Sequence, residues 1–377
     1  MSPMRILAGI SLFLLSVSVG AESLFTRVGK VVAIGDLHGD YEQYVRILRA
    51  NDLVDGKLRW SAGDVHLVQL GDVTDRGPDS LKIIRHLMKL EKQAERAGGR
   101  VHVLIGNHEA MNIQTDLRYV HPGEYKALVT RKSTRRQAKY IDAVFRAMLT
   151  NQPELADAEA TTRAKLAKRF PPGYVEHRML WEPGQEMAKW YAGKKTVIQI
   201  NDTIYLHGGL NPHRESYPSL DQINATISSE LKPGGVPVLS VDQQGPLWYR
   251  GLANHEADVE LEALDRMLEF YGAGRIMVAH TPTAGAVMPR FDRKVIVADV
   301  GISAHYGSAL ANVVSENGRW FTVHRGEKIE LPLDAGVDDY LDQVVRLEPE
   351  GSRLAAFVAR REAEAAVESQ PAGVTEN

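Results

Sequence analysis

Five apolar segments of the chain end in side chains that bind metals or move protons: IGDLHGD, QLGDVTDRG, LIGNHEA, YLHGGL and VAHTP. Within them Asp36, His38, Asp72, Asn107, His207 and His280 offer carboxylate, imidazole and amide oxygen, and no sulfur. That donor set suits Fe, Mn or Zn in mixed oxygen and nitrogen coordination. A single Gly-Asp or His-Gly-Asp run is ordinary turn chemistry. Five such endings imply instead a site assembled where strands finish, because burying unpaired carboxylates and imidazoles costs several kcal/mol. Six donors exceed what one open catalytic metal needs and suit two ions sharing a carboxylate. Two ions ~3.5 to 4 Å apart can hold a hydroxide between them and clamp both the attacking and the leaving oxygen of a phosphoryl transfer.

Three further residues extend that chemistry. Asp75 and Arg76 follow Asp72 within one turn, and His108 directly follows Asn107. A histidine beside a metal ligand but pointing elsewhere can protonate a leaving oxygen, with a carboxylate such as Asp75 fixing its ring. Arg76 is placed to grip phosphate oxygens in bidentate fashion. Most of the thirteen histidines are expected to pack or face solvent. His66 and His102 fall inside strand patterns and His86 inside a helical one. Asp299 and His305 could support the ligands, and a structural role is the expectation for both.

The elements that must position these residues alternate. VVAIG leads to YEQYVRILRANDL, and VHLVQLG leads to PDSLKIIRHLMKLEKQAERAGG, after which VHVLIG follows. In the long segment Leu81, Ile84, Leu87 and Met88 share one face, Pro78 sits where a first helical turn accepts proline, and Gly98 can close the end. Strand and helix in alternation read as an α/β fold built partly on a parallel sheet. From about residue 116 to 191 the pattern becomes polar and helical, without strands, and reads as an insertion capping one edge of the core. Its basic run from Arg131 to Lys139 is either a solvated helix face or a patch steering anionic substrates. Trp181, Trp190 and Tyr191, at its end, are expected to pack into the core rather than wall a groove. Strands return in TVIQINDTIYLHGG, a hairpin turning at Asn201-Asp202, and continue in RIMVAH, KVIVADVG and ALANVVSENGRWFTVH. Residues 331–368 are expected to hold one helix, and 369–377 to be disordered.

Of 377 residues, 44% are hydrophobic and 25% charged, with a net charge of -3. This is the balance of an ordinary globular protein, and it excludes a nucleic-acid partner recognised through a global basic field. No cysteine is present, which removes thiolate catalysis, Cys-type zinc and iron–sulfur chemistry. At the N-terminus Arg5, the apolar run Ile6 to Val19 and the small residues Val19 and Ala21 read as a signal peptide over residues 1–21. An uncleaved anchor is the alternative, but the run falls short of the ~20 residues of a membrane helix. Export, to a periplasm, is therefore expected, with no stable membrane insertion after cleavage.

Together GDLHGD, GDVTDRG, GNHE, HGG and AHT resemble the metallophosphoesterase (calcineurin-like) superfamily and, within it, the phosphoprotein phosphatases. GNHEAMN, LHGGLNP, GPLWYRG and ADVGIS are similar to the bacterial-type Shewanella-like protein phosphatases. The resemblance implies a β-sandwich of mixed sheets flanked by helices, with residues 28–330 as the catalytic domain carrying the helical insertion. It implies Asp36 and His38 on a first metal, Asp72 bridging, and Asn107, His207 and His280 on a second. It also implies His108 as general acid paired with Asp75, and Arg76 with Arg250 as a phosphate clamp. The expected activity is hydrolysis of phosphorylated protein side chains, on Ser/Thr or Tyr, by a metal-bridged hydroxide. The alternatives are a hydrolase of dinucleoside polyphosphates or nucleotides using the same site, and a non-catalytic binding module.

Overall fold

A computed structural model describes residues 23–368. The expected signal peptide, residues 1–21, and the expected disordered tail, residues 369–377, lie outside the described residues. Twelve strands are present among the described residues: β1 (Leu24–Phe25), β2 (Lys30–Ile34), β3 (His66–Gln69), β4 (Arg100–Val103), β5 (Val197–Ile200), β6 (Thr203–Leu206), β7 (Arg275–Val278), β8 (Met288–Arg290), β9 (Val295–Val297), β10 (Ala311–Glu316), β11 (Arg319–His324) and β12 (Glu327–Glu330). They form two sheets of six, ordered β12-β11-β10-β2-β3-β4 and β1-β5-β6-β7-β9-β8. Each sheet is mixed. β2, β3 and β4 run parallel, as do β6, β7 and β9, while β10 to β12 and the β5/β6 and β8/β9 pairs are antiparallel. This is the α/β architecture of mixed sheets flanked by helices that the motifs imply.

Alternation along the second sheet shows where the core sits. Tyr205, Met277 and Ile296 join the large core shared with β2 and β3, whereas Ile204, Ile276 and Val295, one residue away, join a second core. Side chains on successive strand residues point to opposite faces, so this sheet is buried on both. The second core is closed by helices Leu220–Glu230 and Ala257–Tyr271. The β5/β6 hairpin turns at Asn201-Asp202 with Ile200 opposite Thr203, and Asn201 takes the left-handed backbone that asparagine tolerates.

The long helix runs Ser80–Arg96 and buries Ile83, Ile84, Leu87, Leu90 and Ala94. Leu81 and Met88, expected on the buried face, are only half-buried, so the apolar stripe is rotated toward Ile83 and Leu90. Pro78 precedes the cap residue Asp79 rather than entering the first turn. Between β4 and β5 the chain is helical, with helices Asn107–Ile113, Pro122–Ala127, Ser133–Asn151, Glu159–Arg169, Tyr174–Trp181 and Glu186–Ala192. The basic run lies largely on an exposed face; Arg136 pairs with Glu176 at 2.9 Å. Trp181 and Tyr191 are buried and stacked, with Trp190 half-buried beside them.

Where one C-terminal helix was expected, there are two, Val337–Val345 and Arg353–Glu368. The first is short and shows only Tyr340, Leu341 and Val344 to the core, with the Tyr340 hydroxyl donating to the Val287 carbonyl, too few turns to display a period. β12 was also unannounced, because an edge strand of sequence EKIE carries no apolar run. Among the described residues no helix is long and apolar enough to cross a membrane.

Candidate functional site

Every strand that feeds the centre does so from its carboxyl end: Asp36 and His38 follow β2, Asp72 follows β3, Asn107 follows β4, His207 follows β6 and His280 follows β7. All six are buried, as are Asp75 and His108. Turning the chain there is costly. His38, Asp72, Asp75, Arg76 and His280 all have positive φ, between 42° and 70°. Such backbone costs ~1–3 kcal/mol per residue and persists where surrounding structure overrides it. Glycine permits the closest approach: a Cβ at Gly106 would collide with the Asp72 carboxylate and backbone nitrogen.

Glu109, which the sequence reading passed over, is part of what overrides that strain. Its buried carboxylate accepts the N–H groups of Asp72, Val73 and Gly106 at 2.9 Å and that of Thr74 at 3.1 Å, along with the Thr74 hydroxyl. One side chain thus ties the loop after β3 to the helix after β4. Glu109→Ala leaves four buried N–H groups and the Thr74 hydroxyl unpaired and is expected to cost about 3 kcal/mol of stability or more. A urea midpoint equal to that of the parent protein would contradict this.

The centre converges on Asp72. Its Oδ2 lies 3.2 Å from Nε2 of His207, 3.8 Å from that of His108 and 3.9 Å from that of His38. Two groups of donors overlap on this carboxylate: His38, Asp72 and His108, and Asp72, His207 and His280. Asp36 stands against both, with oxygens 3.7 Å from the His38 and His207 rings and accepting the His280 N–H at 3.2 Å. Asn107 Oδ1 lies 2.8 Å from His207 Nε2.

The donor geometry fits bound cations. Nδ1 of His38 lies 2.9 Å from the Thr74 carbonyl and Nδ1 of His207 2.9 Å from that of Leu70. Carbonyls only accept, so these nitrogens carry the protons and the Nε2 lone pairs face inward, the usual support of a metal-ligating histidine. The His207 lone pair then meets the oxygens of Asn107 and Asp72, an arrangement that needs positive charge among them. His280 Nε2 is buried without any hydrogen-bond partner. Burial, then the neighbouring His108, holds His38 down at about 3, and burial with His207 holds His280 well below the usual range. Both rings are therefore neutral and able to ligate.

His108 is set up differently. Its Nδ1 sits 2.6 Å from Asp75 Oδ2, while the other Asp75 oxygen accepts from the Asn112 amide at 2.9 Å. Glu124 accepts the Asp75 N–H at 3.1 Å, and Arg178 donates to the Asn112 carbonyl at 2.8 Å. The helical segment thereby braces the His108–Asp75 pair. Arg76 lies over the Tyr119 ring at 3.9 Å, and Arg250, though exposed, donates to the His280 carbonyl at 2.6 Å.

Asp299, expected to be structural, is buried beside Asp36, and burial with the charges of Asp299 and Asp72 pushes the Asp36 carboxyl well up. His305 is exposed, while its neighbour Tyr306 lies 5.2 Å from the His38 ring. Asn112 closes the GNHEAMN motif without a role of its own being legible there, and Glu124 and Tyr306 had no signal in the sequence. The remaining histidines lie elsewhere: His66 bonds His102, and His86 bonds the Tyr44 hydroxyl.

Residues 29–284 match the family described as calcineurin-like phosphoesterase. Shewanella-like protein phosphatase 2 of Arabidopsis thaliana is 30% identical over 78% of this chain and 76% of its own. An uncharacterized protein of Schizosaccharomyces pombe is 30% identical over 80% of this chain and 82% of its own. The crystal structure of a cold-active protein-tyrosine phosphatase from a psychrophilic Shewanella species superposes with a TM-score of 0.62 at 27% identity, covering 82% of each chain. With a matching family domain over most of its length and a donor set built for cations, the chain belongs to the calcineurin-like metallophosphoesterases, metal-dependent hydrolases whose Shewanella-like protein phosphatases are its homologues.

Proposed function

We propose that the protein is a two-metal phosphomonoesterase acting on phosphorylated protein side chains. The observation that carries this reading is Asp72, a single carboxylate faced by imidazoles from two overlapping donor groups. Asp36, His38 and Asp72 would hold one ion, and Asp72, Asn107, His207 and His280 the other, with Mn, Fe or Zn suited to the donors. Bound cations supply activation of a water nucleophile and withdrawal of charge from phosphate oxygens. The protein's own residues do the rest. Arg76, fixed against Tyr119, and Arg250, fixed on the His280 carbonyl, grip the phosphate oxygens. With Nδ1 engaged by Asp75, His108 presents its Nε2 proton to the departing oxygen. Homologues named as protein phosphatases, and a structural neighbour named as a tyrosine phosphatase, support a phosphoprotein substrate. Export belongs to the same proposal and rests on residues 1–21 alone.

Exhaustive chelation is expected to abolish hydrolysis of phosphoserine, phosphothreonine and phosphotyrosine peptides, and added Mn²⁺ to restore it. Activity that survives chelation would refute the metal assignment. A higher kcat/KM for diadenosine tetraphosphate than for every phosphopeptide would refute the substrate assignment.

A further inference from the structure

Beside the catalytic loop, helix Ser80–Arg96 and helices Pro122–Ala127 and Tyr174–Trp181 enclose a cavity of about 470 Å³, within the size range of ligand sites. Lys82, Arg85 and Lys89 line it from one helix, at spacings of three and four residues that put them on a common face. All three are exposed, and none forms an ion pair among the described residues; the Lys82 ammonium instead lies 3.6 Å over the Tyr41 ring. Two acids oppose them, Asp79 and Glu124. Glu124 already accepts from Asp75 N–H and the Ser80 hydroxyl, and burial with the Asp75 charge pushes its carboxyl up to about 8, so it is largely uncharged at pH 7. His177 also lines the cavity; it is 1% exposed, and neither ring nitrogen has a hydrogen-bond partner. The lining is thus net positive and holds an unspent polar group.

Position connects this cavity to the phosphate site. Asp79 lines it and lies three residues after Arg76, a span of at most about 11 Å of chain. An extended peptide covers that distance in three to four residues. The geometry points to a subsite for acidic side chains three to four residues from the phosphorylated residue of a protein substrate, held by Lys82, Arg85 and Lys89. This assignment rests on the phosphoprotein reading above.

The test compares kcat/KM for phosphopeptides carrying Asp or Glu at those flanking positions with that for the same peptides carrying Ala. Each value is taken relative to p-nitrophenyl phosphate, which has no flank. The Mn²⁺-loaded full chain is expected to prefer acidic flanks about tenfold, the scale of several exposed charge pairs. In Lys82→Ala/Arg85→Ala/Lys89→Ala the preference should fall to about one, and in the corresponding triple Glu variant it should reverse toward lysine-flanked peptides. No preference in the parent protein, or an undiminished one in the Ala variant, overturns the subsite. Turnover of p-nitrophenyl phosphate with no phosphopeptide hydrolysis overturns the protein-substrate reading itself, and the subsite with it.

Discussion

Asp72→Asn is expected to lose bound metal and to lower phosphate-ester turnover by about 10³-fold or more, the equivalent of several kcal/mol of charge stabilisation supplied by a metal. Asparagine keeps the volume and the Oδ1 that accepts the His108 N–H at 2.9 Å, so local packing is preserved while the charge facing three imidazoles is removed. That charge is firmly held. Burial pushes the Asp72 carboxyl up, but His207 and His108 outweigh it and keep the group well below the usual carboxylate range. Elemental analysis beside steady-state kinetics reads both effects, with a thermal melt confirming a folded chain. Retained metal with normal kcat would remove Asp72 from the centre of the mechanism.

His108→Ala is expected to separate the two properties: kcat falls by ~10²–10⁴-fold, the range for a lost general acid, while metal content stays near that of the parent protein. A parallel loss of metal would instead make His108 a ligand, which its place in one donor group with His38 and Asp72 makes a real contest. The pH profile supplies a second readout. Burial pushes the His108 imidazolium down, but the charge of Asp72 and the hydrogen bond and charge of Asp75 outweigh it, raising it to about 9. The acid form is therefore populated at neutral pH in the metal-free chain; bound cations offset part of the Asp72 charge, so kcat of the loaded enzyme should decline with rising pH at or below about 9. The sign for stability is the same. A folded-state value above the unfolded value of ~6.5 contributes stability fully below ~6.5. That contribution is lost as pH rises through about 9. Asp75→Asn removes the charge and should move the alkaline limb of kcat toward lower pH; an unmoved limb would detach Asp75 from the proton transfer.

The helical segment between β4 and β5 has a part in this that the motifs do not reveal. Glu124 and Arg178 reach the His108–Asp75 pair through Asp75 N–H and Asn112, so the segment supports that pair as well as covering the core. The same segment also walls the cavity of the inferred subsite.

How far the sequence reached depended on the range of the forces involved. Strand endings at Asp36, Asp72, Asn107, His207 and His280 were legible because a buried apolar run and the turn that ends it are local events. The donor types likewise restrict the chemistry before any fold is known. Elements held by a few contacts were not legible: β12, the two-residue β1, the edge strand β8 with its Pro289, and helix Val337–Val345. Their stability comes from pairing or docking partners rather than from their own pattern.

The roles of Glu109, Glu124 and Asn112 lay beyond the sequence for a different reason. A carboxylate is tolerated in the core only where donors from other segments meet it, and those meetings are long-range: Glu109 answers to the loop after β3, and Asp36 accepts from His280 at a separation of 244 residues. Residue order therefore specified which atoms could bind cations and in what sequence the strands deliver them. The packing of two sheets supplied the rest: which nitrogen of each imidazole faces the centre, which carboxylate stands between the donor groups, and which buried acids hold the strained loops in place. Burial and electrostatic pairing are properties of the assembled volume, and no local stretch of chain contains them.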